Sequence, residues 1–211
     1  MKHPHLTTLV ALVAWFGVLL QLVLSLRLAQ AQGFPPVNGL IAYLGYFTVL
    51  TNIVVAATLS LARWGGRSRA ARWCRDPSVA TGVLLSILLV GLGYHVLLRA
   101  IWDPQGWAWV ADGVLHYATP LLCLLHWWIS VPATRLPWTE PLRWAAWPLV
   151  YVVYALLRGE WLLRYPYPFL DVAVLGYGRV LLNALGLLAV FLLLGTVLVA
   201  ISRARINRLE R

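Results

Sequence analysis

Charge is scarce in this chain of 211 residues: 11% are Asp, Glu, Lys or Arg, against about 25% in a soluble domain. That shortage excludes an ordinary soluble globule, and 61% hydrophobic residues with a mean hydropathy of +0.77 point to a membrane. Acidic groups are scarcer still, seven against seventeen basic ones. The resulting net charge of +10 raises nucleic-acid binding, but the location of the charges argues against it. Most Arg sit in short loops between apolar runs, where they set topology and meet anionic lipid. Cysteine is limited to Cys74, in an Arg-rich loop, and Cys123, inside an apolar run, so no disulfide framework is expected. Histidines at 3, 5, 95, 116 and 126 lack the spacing of a zinc site, so neither metal nor cofactor is expected. No polar linker divides residues 1–211, which predicts a single integral membrane domain. The lack of an internal repeat weakens a transporter built from inverted halves.

What is present is a series of apolar runs, and they predict an all-α, polytopic transmembrane bundle of six helices. The first run, Leu6–Leu26, is longer than a signal-peptide core and is read as a retained helix. Gln21 is its one polar interior residue. Gly33-Phe34-Pro35-Pro36 makes a turn, and a second helix runs from about Val37 to Ala62. A basic loop, Arg63–Pro77, leads to a third helix over about Ser78–Ile101. The fourth covers the stretch DGVLHYATPLLCLLHWW, Asp112–Trp128. The fifth, about Leu142–Leu163, places Tyr151, Tyr154 and Arg158 on one stripe. A proline- and aromatic-rich segment, Arg164–Gly178, precedes the sixth helix, about Arg179–Ser202, and a basic tail. With six crossings, Lys2, the Arg of loops two and four and those of the tail share one side, twelve of the seventeen cations. That bias predicts a multi-pass protein of the cell membrane with both termini cytoplasmic.

This orientation turns scattered polar residues into a place. Thr48 falls about 16 Å below the outer end of its helix, His116 about 13 Å below its own, and Thr51 about 21 Å. Gly45, Thr48, Asn52 and Val55 share one helix face, with Thr51 beside them. An ionisable group at such depth is a functional candidate by default. Asp112, one turn before His116, can accept from one ring nitrogen and leave the other as a base. A base within reach of a threonine hydroxyl is the minimum for an activated nucleophile. The reaction such a set supports is acyl transfer to water, with Asn52 or Tyr154 available to stabilise an oxyanion. The bland alternatives are threonines bonded to their own helix and a histidine that only bonds a neighbour. Arg99, Arg158, Glu160 and Asp171 read as interfacial pairs, and His126 as an interface marker at the inner end. The inner half reads as nearly bare of polar groups, which counts against a proton-coupled carrier using His116 and His95.

Four pieces, WFGVLLQL, YFTVLTN, LHYATPLL and YPYPFLDV, stand in order across the chain. Together they resemble the androgen-induced protein family of six-span membrane proteins, in particular a bacterial branch of it. Animal members hydrolyse esters of fatty acids with hydroxy fatty acids, using a threonine nucleophile and a histidine. The resemblance implies Thr48, in Tyr46-Phe47-Thr48, as nucleophile and His116, before Pro120, as its base. Thr51 takes the first role if the register slips. A membrane lipid or other acyl ester is the implied substrate, without nucleic acid or cofactor. The family's second histidine is replaced here by the Asp112 region. A non-catalytic membrane protein that binds a lipid or small apolar ligand in the same outer cavity shares all of these residues.

Overall fold

The computed structural model describes residues 3–209, and among them the elements are helical. Lys2 and Arg211, both counted in the charge bias, lie outside the described residues. Helix α1 spans Pro4–Ala31, α2 Pro36–Leu44, α3 Phe47–Trp64 and the short α4 Arg69–Cys74. Helix α5, Pro77–Gly93, runs on through a wide turn at Tyr94–Leu98; α6, Trp107–Gly113, runs through another at Val114–Ala118 into α7, Thr119–Ser130. Then come α8, Glu140–Trp144, α9, Ala146–Leu162, and α10, Val172–Leu209.

Five of these stretches are long and apolar enough to cross a membrane: Pro4–Ala31, Phe47–Trp64, Pro77–Leu98, Trp107–Ser130 and Val172–Arg208. The expected fifth crossing is two pieces, because the chain turns at Ala145 between α8 and α9. At 17 residues, α9 is about 25 Å long, short of roughly 30 Å of hydrocarbon. The last helix is longer than expected. It takes in most of the basic tail, where Arg203 donates to the Leu136 carbonyl and Arg205 to that of Trp128. Near its start, Gly176 adopts φ 70°, ψ 159°, a break in helical geometry that a side chain would resist.

Local chemistry explains the starts. Asp76 caps α5 by accepting from the Ser78 N–H at 2.8 Å, with Pro77 at the first position, where no N–H is required. Ser68 caps α4 through the Ala71 N–H, and Asp171 accepts from Val174 N–H at the start of α10. The turn after α1 falls where Gly33 and the two prolines predict it. Helix α2 then folds back on α1 at Gly39, where an added Cβ would stand 2.5 Å from the Ser25 carbonyl oxygen and 2.8 Å from the Leu26 Cα.

The core lies among α1, α3, α5 and α7, around Val10, Ala14, Val55, Leu84, Ile87 and Cys123. At the end that carries the Arg63–Pro77 loop, the buried Glu140 joins α8 to α5, accepting from Ser78 at 2.5 Å and from Arg143 at 2.8 Å. The half of the bundle expected to be nearly bare of polar groups is not bare. A cavity of about 160 Å³ there is lined by Thr58, Arg75, His126, Ser130 and both free cysteines, Cys74 and Cys123. His126 is buried rather than interfacial, with Nε2 2.9 Å from the Thr7 hydroxyl.

Gly39→Leu must push α2 away from α1 backbone and is expected to lower stability by about 1–3 kcal/mol. Thermal unfolding in detergent measures the loss. Gly178→Leu, whose Cβ meets nothing within 4 Å, is the control that leaves the midpoint in place.

Candidate active site

The expected second helix is broken. α2 stops at Leu44 and α3 starts at Phe47, so Gly45 and Tyr46 interrupt what the sequence presents as one apolar run. The first helical bond of α3 runs from the Leu50 N–H to the Tyr46 carbonyl. The N–H groups of Phe47, Thr48 and Val49 therefore have no acceptor within the helix. Thr48 stands in this first turn, at the positive end of the helix dipole.

Its hydroxyl lies 3.2 Å from His116 Nε2. On the far side of the ring, Nδ1 is 3.1 Å from the Asp112 backbone carbonyl and 3.2 Å from Asp112 Oδ1. Nδ1–H donating to Asp112 fixes the tautomer in which Nε2 is a free base. The imidazole face is covered by the Tyr94 ring, stacked at 3.9 Å between centroids with planes 16° apart. Both rings come from wide turns. Pro120 has no N–H to offer the His116 carbonyl, and the turn before it opens so that the Thr119 N–H bonds Val114 instead. Opposite, the Arg99 N–H reaches back to the Tyr94 carbonyl at 2.8 Å. The two helices close tightly here because Gly91 has no side chain; a Cβ would be 2.9 Å from the His116 carbonyl oxygen.

A further group comes from the loop after α9. The Tyr167 hydroxyl is 3.3 Å from the Thr48 backbone N and 3.4 Å from the Thr48 hydroxyl. Burial raises the Tyr167 phenol above its ordinary pKa, so the hydroxyl keeps its proton. Sequence reasoning missed Tyr167 and Tyr94. The one signal for the former was the density of aromatics and prolines in YPYPF.

Other expected members do different work. Thr51 is fully buried and accepts from Trp147 Nε1 at 3.1 Å, in α9. Asn52 spends its amide donors on the Thr48 carbonyl at 2.8 Å and the Leu115 carbonyl at 3.3 Å. It ties α3 to the His116 turn and has no donor left for an oxyanion. Tyr154 donates to the Leu44 carbonyl at 3.1 Å, away from Thr48. Tyr151 does the same for Gly45 at 2.9 Å and Arg158 for Ile41 at 2.9 Å. The expected stripe on α9 thus exists, and it caps the open carbonyl end of α2. Glu160 accepts from Tyr165 and Tyr177. His95 bonds Tyr117 through Nδ1 at 3.1 Å.

Thr48 also borders a cavity of about 220 Å³ between α5, α9, α10 and the Tyr167 loop. Beyond the hydroxyls of Thr48, Tyr94, Tyr151 and Tyr167 its walls are aliphatic or aromatic carbon, among them Leu97, Leu149, Phe169 and Leu185.

No family model, curated protein or solved structure matches this chain. Its chemistry rests on the geometry and residues above.

Asn52→Leu removes two buried side-chain hydrogen bonds that tie α3 to the His116 turn and is expected to lower stability by about 1–3 kcal/mol, read as a lower midpoint of thermal unfolding. Tyr154→Phe removes one half-exposed hydrogen bond, with an expected loss near 1 kcal/mol.

Proposed function

We propose that this protein is a membrane hydrolase of lipid esters, with Thr48 as nucleophile and His116 as base. The observation that carries the reading is the 3.2 Å contact between the Thr48 hydroxyl and a His116 nitrogen whose partner nitrogen is held by Asp112. Positions of a nucleophile, a base and an orienting carboxylate in one chain of hydrogen bonds are what acyl transfer requires.

The steps follow from the atoms. His116 Nε2 takes the Thr48 hydroxyl proton as Oγ1 attacks the ester carbonyl carbon. The carbonyl oxygen becomes an oxyanion, and the Tyr167 hydroxyl, which accepts from the Thr48 N–H, has its own proton to donate to it. Collapse breaks the bond to the alcohol oxygen, which receives the proton from His116. A water then gives its proton to the same nitrogen, attacks the acyl-threonine carbon and releases the acid, and the proton returns to Thr48. Asp112, beside Nδ1, holds the ring in place and stabilises the imidazolium while it lasts. The apolar cavity beside Thr48 supports a lipid substrate, as does the resemblance to the androgen-induced protein family.

The membrane arrangement belongs to the same proposal. Helices α8 and α9 together complete a sixth crossing of the cell membrane, and both termini are cytoplasmic. The bias of Arg towards the loop after α3, the loop before α8 and the last helix supports it. Reporter fusions at the two termini are expected to read inside for both; an outside reading at either one removes this topology.

A second reading, a non-catalytic membrane protein that holds a lipid or small apolar ligand, draws on the same cavity. Ester turnover by purified protein separates the two. Thr48→Ala and His116→Ala are each expected to abolish hydrolysis of a long-chain ester, whereas Thr51→Ala retains it. Tyr167→Phe is expected to lower kcat by about 10²-fold, as loss of one oxyanion donor does. Hydrolysis that survives Thr48→Ala and is lost in Thr51→Ala would move the nucleophile. No turnover by the native protein, with retained ligand binding, would favour the second reading.

A further inference from the structure

The cavity beside Thr48 has an opening and an empty wall, and both bear on how substrate reaches the site. Leu149 of α9 and Leu181 and Leu185 of α10 line it while being 48%, 50% and 62% exposed. Leu97 of α5, also on its wall, is 41% exposed. These side chains are the lips of a gap in the flank of the bundle, and they are apolar on both sides. In a bilayer the flank faces acyl chains, so the gap joins the cavity to lipid. Among the described residues, no Lys, Arg, Asp or Glu lines the cavity. Its polar atoms are hydroxyls, and that of Tyr151 is spent on Gly45.

Gly93, next to Tyr94 in the chain, lines the same cavity as Thr48. A Cβ added there meets nothing within 4 Å. Its backbone is right-handed helical, φ −61° and ψ −41°, so a glycine is not required by conformation. Here the missing side chain leaves room in the cavity, whereas Gly91, two residues earlier and on another face of the helix, is needed for helix contact.

We propose that the acyl chain of the substrate enters sideways from the bilayer between α9 and α10, lies in this cleft, and is admitted because residue 93 is glycine. The proposal rests on the hydrolase reading and specifies which part of the ester the cleft holds. Access from the membrane presents the ester carbonyl to Thr48 with its tail in carbon-lined space and no charged group to desolvate.

The test uses purified full-length protein in lipid nanodiscs, with esters of one alcohol and acyl chains of two to sixteen carbons. Gly93→Leu is expected to change the ratio of kcat/KM for the long ester to that for the short one by at least tenfold, against the long. Gly186→Leu, on α10 outside the cleft and with open space at its Cβ, is expected to leave the ratio as in the native protein. In parallel, a sixteen-carbon ester with a diazirine at the chain end is photolysed on native protein and the adducts mapped. The expected adducts fall on α5, α9 and α10 residues of the cleft. Native turnover with an unchanged ratio in Gly93→Leu, or with adducts elsewhere, overturns the proposal and leaves the hydrolase reading standing. Adducts in the cleft that Gly93→Leu abolishes, without turnover by any form, keep the chain seat and sink the hydrolase reading.

Discussion

The break at Gly45-Tyr46 is the constraint on which the rest of this structure depends. A helix interrupted within a bilayer exposes unpaired carbonyls on one side and unpaired N–H groups on the other, and lipid can satisfy neither. Here the carbonyl side is met by Tyr151, Tyr154 and Arg158 from α9. On the N–H side, the Thr48 N–H donates to Tyr167, from the loop that α9 leads into. One helix and its following loop thus reach both ends of the gap, and the threonine in the first turn after it stands beside backbone N–H groups that have no acceptor inside the helix, as a mid-helix threonine would not.

The partner side is built by a second departure from regular helix. Pro120 withholds one N–H, the turn widens, and His116 is set against Tyr94, which stands in a wide turn of its own. Wide turns of this kind concentrate at functional sites because they rotate a side chain that an α-helix would aim elsewhere. Asn52 then fastens the two departures to each other through the Thr48 and Leu115 carbonyls. The contact between Thr48 and His116 is therefore held from the backbone, and its residues are buried or nearly so.

Much of this was legible in the sequence. Apolar runs and the Gly33–Pro36 turn place the long helices, and similar depth in opposed helices brings Thr48 near His116. The stripe of Tyr151, Tyr154 and Arg158 was visible by periodicity, though its task was not. The choice between Thr48 and Thr51 stayed open because they are three residues apart on one apolar helix. What separates their surroundings is the break, after which Thr48 meets His116 and Thr51 meets Trp147, and GYF carries no proline to announce it. Tyr167 was hidden for the opposite reason: it lies in a segment without periodicity, whose path back to Thr48 is a matter of tertiary packing. The split between α8 and α9, the buried pairing of His126 with Thr7 and the polar cavity beside Arg75 are likewise products of packing.

The capping stripe on α9 has one more consequence. Three hydrogen bonds pin this helix to the end of α2, while across the opening α10 is held near the cleft by Asn183 on the Phe169 carbonyl and is jointed at Gly176. Outward swing of α9 would therefore drag the end of α2 and with it the break that precedes Thr48, so the position of this one helix sets the geometry at the threonine.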